Sequence, residues 1–364
     1  MKWLKRFFGL VIILFIGVII AVTIIINPFG ASFFNKYTKT GDLTLSGLKA
    51  QVKVKRDEKG MAYIYAQNKE DLFLAQGFVA AQDRLFQMQL TKLFSSGRIS
   101  ELAGEKAKNL DIRMRTLGFY RNAKKHTELL SDKPRTFLQK YVDGVNEFIK
   151  TRPKSIHLEF TLAGIKPEPW DIADSLTILY YMGWDSAANI DTEIIAQMLV
   201  EKLGPARAAE IFPININPDD ESMANMDITN PSFQTAQQTF QTPKLGLEFN
   251  KNVLSFLVDG PLKIGSNNWV AGGDISPGGK PVVANDSHQS TTILPGPWYP
   301  CGLITPDMRA VGVTVAGIGG MAIGRTDHVA IGVTNAYGDT QDLYIETVDP
   351  NNQNNYLEGN QSIP

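Results

Sequence analysis

Apolar positions recur at helical spacing through "NKEDLFLAQGFVAAQDRLFQMQLTKLF", residues 68–94. Leu72, Ala75, Phe78, Val79, Phe86, Leu90 and Leu93 form one stripe, which predicts a long helix. Asn68 stands where a cap is needed, with Asp71 three residues on. Just upstream, "QVKVKRDEKGMAYIYA" (51–66) alternates as two strands around a turn at Glu58–Gly60. Helical periodicity returns at about 107–118, 133–151, 171–182 and 191–203. Pro167 and Pro169 break the chain before the helix at 171–182.

The pattern changes at about residue 214. "DITNPSFQTAQQTFQTPKLG" (227–246) is polar, rich in Gln and Thr, and without firm periodicity, which is the composition of a linker or mobile insert. Beyond Ser266 the chain becomes strand-rich with Gly and Pro punctuation, and "MRAVGVTVAGIGGMAIGRTDHVAIGVTNAYGDTQDLYIETVD" holds several short strands. Apolar runs at Trp269–Ala271 and Pro281–Ala284 flank a turn near Pro277–Gly278. Pairing about that turn makes facing residue numbers sum to about 555 and brings Ser266 to the neighbourhood of His288. A bulge at Gly272–Gly273 would slip this register. On pattern alone this is a hairpin with a polar end.

The N-terminus adds a different feature. Lys2, Lys5 and Arg6 precede "FFGLVIILFIGVIIAVTIII", residues 7–26, which carries no charge. At about 1.5 Å per residue such a run spans a hydrocarbon core of about 30 Å. Basic residues ahead of it set the expectation of a cytoplasmic end (1–6), a single-pass anchor (7–27) and a chain whose bulk lies outside the cytoplasm at the cell membrane. A cleaved signal peptide is the rival reading; the run exceeds the usual h-region and no clear A-x-A site follows.

Composition removes several classes. The net charge of −1 gives no electrostatic case for nucleic acid. A single cysteine, Cys301, excludes an intramolecular disulfide and a cysteine-rich metal site. The four histidines, His126, His157, His288 and His328, lack HExxH spacing. There is no G-x-S-x-G. Ser46–Lys49 fits S-x-x-K and Lys39–Gly41 fits K-T-G, but in reversed order and almost adjacent, as chance matches would be.

"GSNNWVAGG" followed by "VVANDSHQ" places a Ser and a His 22 positions apart. Together with Ala81-Gln-Asp83-Arg84, Gln87-Met88, Gly97-Arg98, Glu101, "EPWDIADSL" and "WDSAANIDTEI", it resembles the penicillin acylase family of N-terminal-nucleophile hydrolases, over about residues 45–350. Family members are longer chains, and this sequence stops within what resembles the β-chain. The resemblance implies an αββα sandwich, or the part of it that the chain builds. It divides the chain into an α-chain-like helical region (28–213), a linker or spacer (214–265) and the start of a β-chain (266–364). It further implies an α/β heterodimer cut from one precursor.

The resemblance also implies chemistry. Serine is a weak nucleophile until a base takes its proton. In this family the base is the serine's own α-amine, exposed by a cut at Gly265–Ser266. Ser266 would attack a linear amide, as in penicillins or N-acyl homoserine lactones. The backbone N–H of Asn335, in "VTNAYGDTQD", would hold the oxyanion, and His288 would sit beside the nucleophile. The second oxyanion donor of the family has no counterpart here. Asn189, Asp339, Gln341 and Asp342 match a calcium segment, with Asn189 where Glu is common and Gln341 giving a backbone carbonyl. Asp83 and Arg84 are expected to form a structural ion pair, and His126, His157 and His328 to lie at the surface or in packing. A second reading is a catalytically inactive, truncated, membrane-tethered remnant or binding protein.

Overall fold

The computed structural model describes residues 2–26, 40–151, 157–187, 190–211, 265–289, 295–335, 341 and 346–364. The expected linker at 214–265 lies outside these residues except for Gly265. Contacts divide the chain into two units, Met1–Met182 with Gly265–Thr334 and Gly183–Ile264 with Asn335–Pro364.

The first unit opens with α1, Lys2–Ile26. Among the described residues no helix is long and apolar enough to cross a membrane. The anchor expected at 7–27, and the cell-membrane location built on it, are corrected on this ground.

Strands β1 (Lys53–Arg56) and β2 (Ala62–Tyr65) pair antiparallel, as the alternation predicts. The turn between them is closed by Asp57, whose side chain accepts the N–H groups of Lys59 and Met61. Gly60 sits there at φ 83°, a backbone region that costs glycine nothing. Helix α2 (Lys69–Ser95) follows, capped by Asn68. Asn68 Oδ1 accepts from Asp71 N–H at 2.9 Å and Asn68 Nδ2 donates back to the Asp71 carboxylate at 2.7 Å. The buried Asp71 carboxylate also takes the N–H groups of Lys49 and Ala50, so one cap fixes both the helix start and the bend that leads into β1.

Next come α3 (Ser100–Ala103), a 3₁₀ turn at Gly104–Ala107, α4 (Lys108–Leu117), α5 (Phe119–Leu129), α6 (Asp132–Thr151), α7 (Leu158–Ala163) and α8 (Ile172–Ala187). Helices α2 and α6 cross backbone to backbone. A β-carbon on Gly77 would run into the Tyr141 carbonyl, and one on Gly144 into the Leu74 carbonyl. Only glycine permits this approach, which buries Phe78, Tyr141, Val145 and Phe148 between the helices.

The hairpin strands β3 (Ser266–Ala271) and β4 (Val282–Ser287) form a two-stranded sheet. Strands β5 (Trp298–Thr305), β6 (Met308–Val315), β7 (Ile323–Thr326) and β8 (Ala330–Ile331) join β1 and β2 in a six-stranded sheet of order β1-β2-β5-β6-β7-β8. Its one parallel pair is β2 with β5; the others run antiparallel. Ile64, Cys301, Leu303 and Ala310 of this sheet share one core with Leu72, Leu85 and Met88 of α2. Polar ties reinforce it. Arg56 forks the Asp83 carboxylate at 2.8 and 2.9 Å, and Tyr299 OH donates to the same group at 2.7 Å. Asp83 therefore pairs with Arg56 rather than with Arg84, because successive helix residues point in different directions. Arg84 donates to Gln87 Oε1 and the Gly296 carbonyl and lies over the Tyr299 ring.

In the second unit, α9 (Ile190–Leu203) and α10 (Pro205–Ile211) follow one another around Gly204. Strands β9 (Thr347–Asp349), β10 (Asn352–Glu358) and β11 (Gln361–Ile363) form an antiparallel sheet of order β11-β10-β9. The fold is thus mixed α and β. Among the described residues the expected αββα sandwich is represented by a helical layer on one six-stranded sheet, with two smaller sheets beside it in the chain.

Candidate active site

Ser266 is the first residue of β3, and its strand partner is Ser287. The pairs run on through Asn268 with Asn285 and Val270 with Val283, so facing numbers sum to 553. The expected sum was 555. The connection tightens through Ile275 N–H to Gly272 O and Gly279 N–H to Ser276 O, which moves the turn centre back by one residue. A partner shift of two leaves every side chain on its face, since strand faces repeat every two residues.

One step beyond the Ser266–Ser287 pair, the Gly265 carbonyl accepts the His288 backbone N–H at 3.1 Å. His288 thus sits across from Gly265. A β-carbon on Gly265 would lie 3.6 Å from His288 Nδ1. Side chains alternate along a strand, so the imidazole leaves the hairpin on the face opposite the Ser266 hydroxyl. There its Nε2 lies 3.3 Å from Asp286 Oδ2. The ring adjoins the Gly265–Ser266 bond from the glycine side.

The Ser266 face meets residues 332–334, which leave the sheet edge after β8. Asn285 Oδ1 accepts the Val333 N–H at 2.5 Å. Thr334 Oγ1 lies 2.7 Å from Ser266 Oγ and 2.7 Å from Ser266 O. The sequence resemblance singles out Asn335 in this segment and carries no separate signal for Thr334, the residue that meets Ser266. Asn335 is the next residue in the chain.

Of the calcium candidates, Asn189, Asp339 and Asp342 lie outside the described residues. Gln341 is described, and its Nε2 donates to the Trp184 carbonyl at 3.0 Å. Among the described residues no group of three His, Cys, Asp or Glu side chains is placed to hold a metal.

The remaining histidines are structural or peripheral. His157 is buried; its Nε2 meets the Gln82 carbonyl at 2.9 Å and its Nδ1 takes the Phe86 N–H at 3.4 Å. The Nε2–H tautomer satisfies both contacts. His126 Nδ1 meets Tyr180 OH at 3.2 Å, and His328 lies exposed in the turn before β8.

Ser266 thus stands at the head of β3, behind Gly265 and with its hydroxyl 2.7 Å from Thr334 Oγ1, on a mixed α and β fold. The family model for penicillin amidase matches residues 51–364, and the chain belongs to the penicillin amidase family. It is 30% identical over 315 residues to the acyl-homoserine lactone acylase QuiP of Pseudomonas aeruginosa, covering 84% of this chain and 36% of that protein. It is 31% identical over 319 residues to the penicillin acylase 2 proenzyme of Pseudomonas sp. strain SE83, covering 84% and 39% respectively. A solved penicillin G acylase from Alcaligenes faecalis matches 46% of this chain and 93% of its own, at 25% identity and a TM-score of 0.38. The chain therefore spans well under half the length of the curated relatives named here.

Proposed function

We propose that the chain is the α-region and the beginning of the β-region of an amide hydrolase whose nucleophile is Ser266, released as a new N-terminus by a cut at Gly265–Ser266. The observation that carries the reading is the position of Ser266. It opens strand β3 behind a glycine, in a chain of the penicillin amidase family. Once free, its α-amine has a reference pKa of about 7.7–8.0 and is partly neutral near pH 7, as a general base must be. Ser266 Oγ then attacks the carbonyl of a linear amide, the amine leaves, and water hydrolyses the acyl-enzyme. The resemblance assigns the Asn335 N–H to the oxyanion and residues 214–265 to an excised spacer. The relatives' names point to two substrate classes, penicillins and acyl-homoserine lactones. One of those relatives is named a proenzyme, which fits a cut precursor.

The experiment is N-terminal sequencing of the mature, active protein. A chain beginning Ser-Asn-Asn-Trp is the expected result. An uncut chain in an active preparation overturns the reading.

We further propose that Asp339, Asp342, the Gln341 carbonyl and Asn189 hold a structural calcium ion. The donor set is all oxygen, as a hard cation requires. The Gln341 side chain donates to the Trp184 carbonyl, five residues before Asn189 in the chain, which supports the reading. The ion would balance the two carboxylate charges and take no part in bond breaking. Asp339→Ala is expected to lower the yield of folded, matured protein several-fold while leaving kcat of the matured fraction within about 2-fold. Thermal melts of the native, chelated and re-calcified protein check it. Three identical melting curves would show that the segment is only a turn.

A further inference from the structure

One side-chain oxygen, Thr334 Oγ1, touches two atoms of Ser266. It lies 2.7 Å from the carbonyl oxygen and 2.7 Å from Oγ. A carbonyl oxygen only accepts, so Thr334 donates to it. A threonine hydroxyl carries one proton. That proton is then committed, and Ser266 is the donor in the second bond. The chain of hydrogen bonds has one direction: Ser266 Oγ–H to Thr334 Oγ1, and Thr334 Oγ1–H to Ser266 O.

The residue that does this is itself held. The Val333 N–H is bound to Asn285 Oδ1 at 2.5 Å, and Asn285 pairs across the hairpin with Asn268, two residues from Ser266. A β-carbon on Gly332 would come within 2.7 Å of the same Asn285 oxygen, so the segment lies flat against this face. On the other side of the bond, the Gly265 carbonyl oxygen takes the His288 N–H.

We propose that Thr334 is a positioning residue for Ser266, and that Thr334 and the His288 backbone N–H together build the site at which the chain cuts itself. This rests on the reading of Ser266 as the nucleophile. The step balances as follows. Ser266 Oγ forms a bond to the Gly265 carbonyl carbon, and the displaced electron pair moves onto the Gly265 oxygen. The His288 N–H is already donating there, as an oxyanion donor must. The pair returns, the C–N bond breaks, and the Ser266 nitrogen receives the proton that leaves Oγ. The product is an ester between Gly265 and Ser266 Oγ. Water hydrolyses it to a Gly265 carboxyl group and a free Ser266 with its amine and hydroxyl. Thr334 keeps no net proton. It fixes the Ser266 rotamer and draws the hydroxyl hydrogen to one side, leaving the oxygen lone pairs to face the reacting carbon.

The test follows cleavage at Gly265–Ser266 in the full-length precursor by mass spectrometry, for wild type, Ser266→Ala, Thr334→Val, Thr334→Ser and Thr334→Ala. Thr334→Val keeps the shape and removes the hydroxyl. It is expected to slow cleavage by about 10–100-fold, the scale of a misdirected nucleophile. Thr334→Ser restores the hydroxyl and is expected to cleave within about 3-fold of wild type. Threonine does not titrate in this range, so the Thr334→Val deficit is expected to be the same at about pH 6.5 and pH 8.5. Cleavage of Thr334→Val at the wild-type rate overturns the proposal while an uncut Ser266→Ala chain leaves the nucleophile reading standing. If Thr334→Val fails to fold, the comparison is Thr334→Ser with Thr334→Ala: equal rates overturn the proposal, and a fast Ser with a slow Ala supports it. Cleavage of Ser266→Ala at the same bond, or a wild-type precursor that never cuts, overturns the nucleophile reading and this proposal with it.

Discussion

Ser266→Ala is expected to leave the precursor uncut and to lower amide hydrolysis by about 10⁵–10⁶-fold or more. Removal of a covalent nucleophile that works as a unit with its base has effects of that scale. On the proposed mechanism two functions go at once: without Oγ no ester would form with Gly265, so the α-amine would not be released, and without the amine there would be no base. The structural cost is small by comparison. The variant loses the Oγ hydrogen bond to Thr334, and a hydrogen bond of this kind is worth about 0.5–1.5 kcal/mol. Denaturant midpoints of wild-type and variant precursors are therefore expected to lie close together while activity against a chromogenic amide disappears. Ser266→Cys is the informative companion, since it retains a nucleophile at the same position. A variant Ser266→Ala chain that is found cut, with hydrolysis intact, would place the chemistry on another residue.

The helical core was legible because its signals are local. The stripe at 72–93 and the Asn68–Asp71 cap gave α2 to within a residue at each end. Helix α5 was missed. Gly118 takes a left-handed φ of 76° and ends α4, but it also begins α5, and the run "FYRNAKKHTEL" carries too few apolar residues to show a stripe. A glycine read as a stop does not announce a restart. The contacts that matter most at the site are not local at all. Thr334 reaches Ser266 across 68 residues, and Arg56 reaches Asp83 across 27. Neither separation leaves a period in the sequence. The signal for Thr334 was present only as its place beside Asn335 in a segment already singled out. The hairpin strands were legible, but their exposure was not. Trp269 and Val270 are 58% and 72% exposed, although an apolar run argues for burial. At the N-terminus the uncharged run gave the helix α1 and suggested a membrane span, which the structure does not support.

Lys92→Met is expected to destabilise the fold by about 3–5 kcal/mol at pH 7. Lys92 and Asp174 form a buried pair at 2.9 Å, with side chains 9% and 2% exposed. The ammonium also donates to the Pro169 carbonyl and lies over the Trp170 ring. It thus joins α2 to the start of α8 through "EPWD". Removing one partner strands a carboxylate in a place that water cannot reach, and such a change costs far more than the pair itself contributes. Burial already pushes the Asp174 carboxyl up to about 6 against the pull of Lys92. The sign follows. A carboxyl raised above its unfolded value of 3.8 binds its proton more tightly in the folded state, so its stabilising contribution is complete below about pH 3.8 and is lost as pH rises through about 6. Without Lys92 the carboxyl is pushed higher still. The deficit of Lys92→Met relative to wild type is therefore expected to shrink between pH 7 and pH 5, as Asp174 takes up a proton and becomes neutral. Adding Asp174→Asn removes the stranded charge by another route, and the double variant is expected to recover most of the loss at pH 7. Urea midpoints of the three proteins, wild type, Lys92→Met and the double variant, at the two pH values check both statements. A pH-independent deficit, or a double variant no better than Lys92→Met, would mean that Lys92 acts through its contacts with Glu168, Pro169 and Trp170 and not through the Asp174 charge.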